Sequence, residues 1–175
     1  MDARKGSEPT VPKNRTTVER KSERELVVTR TINGPARTVF EAFTRPELFQ
    51  RWWVPKSCGL SLLSCELDVR AGGRYRLGFR HAASPQPMEF FGRYIEVTPH
   101  SRLVWTNDEG EDGGAVTTVT LEDKAGRTMV VLHDLHPSKE ALDAAIESGS
   151  TSGMSETFDQ LDELVVTLGA NFGRS

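Results

Sequence analysis

Three consecutive β-hairpin patterns are the feature of this chain that most constrains its fold. Between residues 63 and 135, six segments alternate apolar and polar side chains, and short turns join them in pairs. Strands joined by such short turns run antiparallel. The predicted turns are Ala71-Gly72-Gly73, Pro99-His100-Ser101 and Lys124-Ala125-Gly126. The pattern therefore predicts an antiparallel sheet in which neighbours in sequence are neighbours in space.

A register can be predicted for each hairpin by requiring that its apolar side chains share one face of the sheet. A slip of a single residue would move every apolar side chain to the opposite face, so the requirement is strict. The predicted pairs are Val69–Tyr75, Leu67–Leu77 and Cys65–Phe79 in the first hairpin, Val97–Leu103 and Ile95–Trp105 in the second, and Leu121–Met129, Val119–Val131 and Thr117–His133 in the third.

Helical patterns flank the hairpins on both sides. A strand over residues 25–32 precedes two short predicted helices, which begin near Pro35 and Pro46. After the last hairpin, a short helix is predicted within 138–148 and a long amphipathic helix over 154–168, with one apolar stripe. This order predicts an α+β fold, in which a curved antiparallel sheet of about seven strands wraps around the long C-terminal helix.

The two ends of the chain differ from its middle. The first 23 residues contain few aliphatic side chains and many charges of alternating sign, so they cannot bury a core. We expect a disordered tail over residues 1–23, a single folded domain over 24–169 and a flexible C-terminus over 170–175.

Composition excludes several classes of function. The net charge of −3 argues against nucleic acid as a partner. No apolar run approaches the roughly 20 residues that span a bilayer, and the N-terminus lacks the apolar stretch of a secretory signal, so a cytoplasmic location is expected. The two cysteines and four scattered histidines match no metal-site spacing. We therefore predict neither a metal site nor a cofactor.

The predicted registers define an inner face of the sheet that is mostly apolar but includes Arg93, Asn107, Thr117 and His133. A concave apolar surface with a few polar groups is typical of a small-molecule site. His133 has two interpretations: a core histidine bonded to Thr117 or to the backbone, or a ligand contact or general acid–base group. Arg93 could bind a carboxylate or phosphate, or lie in water at the sheet edge. Alternatively, a bulge would turn Arg93 and Asn107 outward and bring in the side chains of Phe90 and Tyr94.

Two adjacent tryptophans stand at the end of the second short helix. Adjacent helical residues point about 100° apart, so both cannot face one small core. Trp52 shares a face with Leu48 and Phe49 and is predicted to be a core residue. Trp53 is predicted to border the mouth of the cavity, or else to cover the base of the long helix.

Several stretches resemble one known family. They are "VFEAFTRPELFQRWWVP", "ELDVRAGGRYRLGF", "FFGRYIEVTPHSRLVWT", "VVLHDL" and "SGMSETFDQLDELV". In this order they resemble the SRPBCC superfamily, also called START-like or birch-pollen-allergen-like, and within it the family of the C-terminal domain of the heat-shock protein 90 ATPase activator. The resemblance implies a helix-grip fold with a cavity. Two positions depart from it: Arg45 replaces a usual acidic residue, and Met154 replaces a usual tryptophan, which favours a roomier cavity.

Three functions are compatible with these observations. We predict a binding protein for a hydrophobic small molecule, a lipid or an aromatic compound, rather than an enzyme. The resemblance also implies two alternatives: a polyketide cyclase or aromatase with His133 as its acid–base group, and a co-chaperone that activates a heat-shock ATPase. No nucleophile motif of the GxSxG type occurs, and no catalytic residue is predicted. The predicted cavity residues are Trp53, Tyr75, Phe79, Phe91, Arg93, Trp105, Asn107, Thr117, His133, Met154 and Phe158.

Overall fold

The computed structural model of the chain describes residues 16–54, 57, 59–81, 83, 86–108, 114–148 and 153–172. Eight antiparallel strands form one sheet in the order β1-β2-β8-β7-β6-β5-β4-β3. The strands are β1 Thr17–Arg20, β2 Glu25–Ile32, β3 Leu60–Leu67, β4 Arg74–His81, β5 Met88–Thr98, β6 Arg102–Thr106, β7 Val116–Lys124 and β8 Arg127–Leu135. The helices are α1 Ala36–Thr44, α2 Pro46–Phe49, α3 Lys139–Glu147 and α4 Met154–Phe172. The predicted α+β helix-grip architecture is confirmed.

The sheet contains one strand more than predicted, at its N-terminal edge. Residues Thr17–Arg20 pair with β2, from Thr17 opposite Thr29 to Arg20 opposite Leu26. All four residues of β1 are exposed, and Arg20 makes an ion pair of 2.8 Å with Asp143. Backbone pairing and surface charge hold this strand, so an argument from burial could not detect it. The tail prediction was wrong for these residues, while residues 1–15 lie outside the described part.

The C-terminal helix also differs from its predicted end. The helix predicted over 154–168 continues in the structure through Gly169 to Phe172. A glycine inside a helix costs only about 1 kcal/mol relative to alanine, so it does not by itself stop the helix. Residues 173–175 of the predicted flexible terminus are outside the described residues.

The first hairpin has a different register from the predicted one. Leu67 pairs with Tyr75 and Cys65 pairs with Leu77, a shift of two residues that leaves the apolar residues on the same face. The connection between the strands is accordingly longer and covers 68–73. A bulge between Leu62 and Ser64 turns Leu63 outward, to 53% exposure.

A bulge also changes the second hairpin. Val97 pairs with Leu103 as predicted, but the register then shifts and Tyr94, not Ile95, lies opposite Trp105. Ile95 is 52% exposed and Tyr94 is buried. Beyond the bulge every side chain of β5 is on the face opposite to the one expected from simple alternation.

The third hairpin is shifted by one residue. Leu121 pairs with Val130, Val119 with Leu132 and Thr117 with Asp134, whereas we predicted Met129, Val131 and His133 as their partners. The turn contains two residues instead of three, and Ala125 and Gly126 both have positive φ, at 58° and 84°. Such a two-residue turn matches the twist of the flanking strands. Because the shift is by one residue, it exchanges the two faces of β8.

The apolar stripe of α4 is buried, as predicted. Phe158, Leu161 and Val165 are at most 1% exposed, and the helix packs against α1 and β2. At Gly34 the chain passes so close to α4 that an added Cβ would lie 2.2 Å from Val165 Cγ1. In the described part of the chain, no helix has the length and hydropathy needed to cross a membrane.

A buried arginine joins α4 to the sheet. Arg30 of β2 is 2% exposed and donates to Asp159 Oδ1 at 2.7 Å and to Asp162 Oδ2 at 3.2 Å. Asp162 also accepts a hydrogen bond from the backbone N–H of Asn33 at 2.9 Å. We call Arg30, Asp159 and Asp162 the Arg30 cluster. Because the charges are paired and hydrogen-bonded, they tolerate removal from water.

Candidate ligand-binding cavity

A cavity of about 470 Å³ lies between the inner face of the sheet and the helices. Of the described side chains of α4, only Met154 contributes to the lining, so the shorter helices α1, α2 and α3 enclose most of this side. Seven aromatic residues line it: Phe43, Phe49, Trp53, Tyr75, Phe90, Tyr94 and Trp105. The larger non-aromatic apolar side chains of the wall are Leu26, Val28, Leu67, Leu77, Leu132 and Met154.

The structure brings six of the eleven predicted cavity residues to this wall: Trp53, Tyr75, Trp105, Asn107, Thr117 and Met154. Two others are buried without lining the cavity. Phe79 is 2% exposed, and its ring lies 5.2 Å from that of Phe90. Phe158 is fully buried and stacks on Trp52, with ring centroids 6.4 Å apart. These two residues support the wall from behind.

The remaining three predicted residues point away from the cavity. The bulge in β5 turns Phe91 and Arg93 outward, and Arg93 lies 3.5 Å from Asp108. This is the alternative arrangement considered from the sequence, and Phe90 and Tyr94 do face inward; Asn107, however, remains in the wall. The shifted register of β8 places His133 on the outer face, where its Nε2 lies 2.9 Å from Glu25 Oε2.

Two polar residues of the wall were missed from the sequence. Asp134 occupies the position assigned to His133, because the one-residue shift of β8 exchanges them. His136 follows one residue after the strand ends and also lines the cavity. The signal that could have found Asp134 is the Ala125-Gly126 pair, since a two-residue hairpin turn requires positive φ at both positions.

The polar residues of the wall form a connected chain of hydrogen bonds. Tyr75 donates its hydroxyl proton toward the carbonyl of Thr106 at 2.8 Å and lies 3.0 Å from Asn107 Oδ1. Asn107 Nδ2 donates to the carbonyl of Ala115 at 2.6 Å and to Thr117 Oγ1 at 3.1 Å. Thr117 in turn donates to Asp134 Oδ1 at 2.6 Å. We call Asn107, Thr117, Asp134 and His136 the polar end of the cavity.

Burial perturbs the two titratable groups of the polar end. Desolvation raises the pKa of Asp134, and the hydrogen bond from Thr117 and the charges of His136 and His133 oppose the rise. Desolvation also lowers the pKa of His136, with Asp134 acting in the opposite direction. Both shifts favour uncharged forms, as expected for groups that border a largely apolar space.

The adjacent tryptophans have different roles. Trp52 is fully buried, and its indole N–H donates to the carbonyl of Ala42 at 2.8 Å, near the end of α1. Trp53 is half-buried, lines the cavity, and stacks on Phe49 with centroids 4.8 Å apart. Gln160 of α4 donates to the backbone carbonyls of Trp52 and Val54 at 3.0 and 2.9 Å. The segment that carries Trp53 is therefore tied to the core.

A second depression, of about 450 Å³, lies over the connection between β3 and β4. It opens to solvent, and its lining is mainly charged: Glu66, Asp68, Arg70 and Arg74 surround Leu67 and two glycines. Asp68 and Arg70 form an exposed ion pair of 3.0 Å within it. Because it has no apolar wall, this depression lacks the usual make-up of a small-molecule site.

Comparisons with known proteins identify relatives of the chain. The family model described as "Activator of Hsp90 ATPase homolog 1-like protein" matches residues 33–166. A crystal structure of a Nitrosomonas europaea protein is 25% identical, with a TM-score of 0.77 over 86% of this chain and 99% of that one. A Chromobacterium violaceum protein is 30% identical, with a TM-score of 0.67 over 81% and 96% of the two chains.

A third solved structure carries the family's name. It is an "AHSA1-like protein" from Aeromonas hydrophila, 19% identical, with a TM-score of 0.63 over 82% of this chain and 94% of that one. At this identity the likeness concerns the fold alone. No functionally curated protein matches the chain.

Proposed function

Since this chain belongs to the family of Activator of Hsp90 ATPase homolog 1-like proteins, within the SRPBCC superfamily, we propose that it binds a hydrophobic small molecule in the cavity of its helix-grip fold. The observation that carries the proposal is the cavity itself. Its volume of about 470 Å³ lies within the range of roughly 300–1,000 Å³ that is usual for small-molecule sites. Its wall combines aromatic and aliphatic side chains with one group of polar residues, which is the usual composition of such sites.

The aromatic side chains favour a lipid or an aromatic compound as the ligand. Trp53 and Trp105 face each other edge to face, with ring centroids 6.3 Å apart, and Tyr94 meets Trp105 at 6.5 Å. These rings offer apolar area with few side-chain rotors to immobilise on binding. Phe49, which also lines the cavity, stacks against Trp53.

The structure argues against one of the two alternative functions and leaves the other as a prediction. The cyclase hypothesis relied on His133 as the acid–base group, but this residue lies outside the cavity and contacts Glu25. The co-chaperone alternative follows from the family description. Stimulation of a heat-shock ATPase by the purified protein would support it, and cavity-filling variants that abolish ligand binding would leave such stimulation unchanged.

A single substitution at Met154 tests the cavity proposal. Met154 lines the cavity at the start of α4, where members of the resembled family usually carry tryptophan. Met154→Trp should fill part of the space and weaken binding of the fluorescent probe N-phenylnaphthylamine by about tenfold, the loss expected when 1–2 kcal/mol of apolar contact is removed. The matched control is Val166→Trp, because Val166 lies on the same helix and is 44% exposed.

Probe fluorescence should rise on binding to the unmodified protein and to Val166→Trp, and much less with Met154→Trp at the same concentration. Native mass spectrometry of protein purified without detergent provides an independent readout, as a retained small molecule would appear as added mass. Equal binding by all three proteins would show that the probe lies elsewhere, and absence of binding to the unmodified protein would refute the proposal.

A further inference from the structure

We infer that the ligand carries a hydrogen-bond donor that binds the carboxylate of Asp134 at the polar end of the cavity, and that this donor is a protonated amine. The inference rests on the proposed function and names the chemical class of the ligand. It follows from the direction of the hydrogen bonds in the wall and from the distribution of charge around the cavity.

A series of hydrogen bonds runs from Tyr75 through Asn107 and Thr117 and ends at Asp134. Thr117 has one hydroxyl proton and donates it to Asp134 Oδ1. Asn107 directs its Nδ2 to Ala115 and Thr117, and Tyr75 directs its hydroxyl to Thr106 and Asn107. The side-chain donors of Tyr75, Asn107 and Thr117 are therefore engaged within the wall. At Asp134 a ligand meets an acceptor, and it must bring the donor itself.

The carboxylate of Asp134 has an oxygen left for that donor. Its Oδ1 accepts the bond from Thr117, and among the described residues no hydrogen bond to its Oδ2 is found. The oxygen is also not among the buried polar atoms that lack a partner, so it lies at an accessible surface of the cavity wall. An unpaired carboxylate oxygen beside an apolar space is costly, and a donor from a ligand would satisfy it.

The charge around the cavity favours a cation over an anion. Among the described residues that line the cavity there is no lysine or arginine, and Asp134 is the one acidic side chain. Two arginines near His136 engage other partners: Arg20 pairs with Asp143 at 2.8 Å, and Arg24 donates to the carbonyl of His136 at 2.9 Å. His136 lines the same end, and burial lowers its pKa. Within the described part of the wall, a fatty-acid carboxylate would therefore meet a carboxylate and no fixed positive charge.

The aromatic wall suits the same ligand. Trp53, Trp105 and Tyr94 present π systems within one cavity, and ring faces attract ammonium groups in addition to apolar surface. An amine joined to an aromatic or aliphatic body would place the charged group at Asp134 and its body among the rings.

Four naphthyl compounds that differ only in their polar group test this inference. The set is naphthylethylamine, naphthylethanol, ethylnaphthalene and naphthylacetate, each used to displace N-phenylnaphthylamine from the full-length protein. A charge-assisted hydrogen bond contributes a factor of about ten or more in affinity. The expected order is therefore amine, alcohol, hydrocarbon and carboxylate, with the amine about tenfold tighter than ethylnaphthalene.

Asp134→Asn then identifies the residue responsible. It keeps the size of the side chain and an oxygen that can accept from Thr117, so the amine should lose about tenfold in affinity while ethylnaphthalene changes little. Naphthylacetate should improve in the same variant. The matched control is Glu89→Gln, an exposed carboxylate on β5, which should leave all four affinities unchanged.

The outcomes separate the inference from the proposed function. If ethylnaphthalene binds and the amine binds equally or more weakly, the inference is overturned and the cavity proposal stands. The same holds if the preference for the amine survives in Asp134→Asn. Failure of every compound and of the fluorescent probe to bind would refute both. Should Asp134→Asn not fold, the order of affinities on the unmodified protein still decides.

Discussion

Replacing Trp52 and Trp53 one at a time by alanine should separate stability from binding. Trp52 is fully buried and belongs to the core, whereas Trp53 is half-buried and lines the cavity. We expect Trp52→Ala to destabilise the fold strongly with little direct effect on ligand contacts. Trp53→Ala should weaken binding much more than it weakens the fold.

The magnitudes follow from burial and hydrogen bonding. A fully buried tryptophan removes about 200 Å² from water, or about 5 kcal/mol at 25 cal/mol per Å². Core truncations of this type cost about 3–5 kcal/mol. Loss of the indole bond to the carbonyl of Ala42 adds about 1 kcal/mol, because that carbonyl lies in the last turn of α1. Trp53 buries about half that area, which gives about 2.5 kcal/mol at the same coefficient, and its truncation only enlarges an existing cavity.

The assay is urea unfolding followed by far-ultraviolet circular dichroism, since each substitution also removes one of the three fluorescent tryptophans. Displacement of N-phenylnaphthylamine measures binding. Trp52→Phe provides a milder variant if Trp52→Ala does not fold, with an expected loss of about 2 kcal/mol. Equal losses of stability for the two alanine variants, or unchanged binding by Trp53→Ala, would refute the assignment of roles.

Three further predictions concern other parts of the molecule. Arg30→Met should lower the free energy of unfolding by about 3–5 kcal/mol, because it leaves the two carboxylates of the Arg30 cluster without their partner. Changing Asp159 and Asp162 to asparagine in the same variant should restore much of the lost stability, as measured by urea unfolding. If stability does not recover, the reasoning is contradicted. Burial raises the pKa of Asp134 above its ordinary 3.8, so its ionisation opposes folding as the pH rises through the folded-state pKa. Asp134→Asn should therefore be more stable than the unmodified protein near neutral pH, and the gap should close in urea titrations as the pH falls through 3.8. Burial raises the pKa of Cys65 from 9.0 to about 11. In a Cys58→Ser variant, the thiol of Cys65 should therefore react with a disulfide reagent about a hundredfold more slowly than a free thiol. A rate equal to that of the free thiol would contradict the burial of this side chain.

The helices were predictable because their polar and apolar residues are clearly separated. In α4 the buried positions Phe158, Leu161 and Val165 recur at helical spacing, and only one rotation of the helix about its axis buries all of them. The first hairpin was predictable in part. Its apolar residues were assigned to the correct face from Cys65 onward, since a shift of two residues preserves alternation.

The sequence was enough to predict the order of elements, the antiparallel sheet and the long helix that packs on it, because these depend on local periodicity and short connections. It did not determine which face β5 and β8 present to the cavity. Both strands carry apolar residues at successive positions, Phe90 and Phe91 in one and Val130 and Val131 in the other, so burial alone does not choose between two registers. The bulge at Ile95 and the two-residue turn at Ala125 and Gly126 made that choice, together with the pairing of β8 to β2 on its other side. The tertiary structure thereby decided that Asp134, and not His133, lines the cavity, because a shift of one residue along a strand exchanges its two faces.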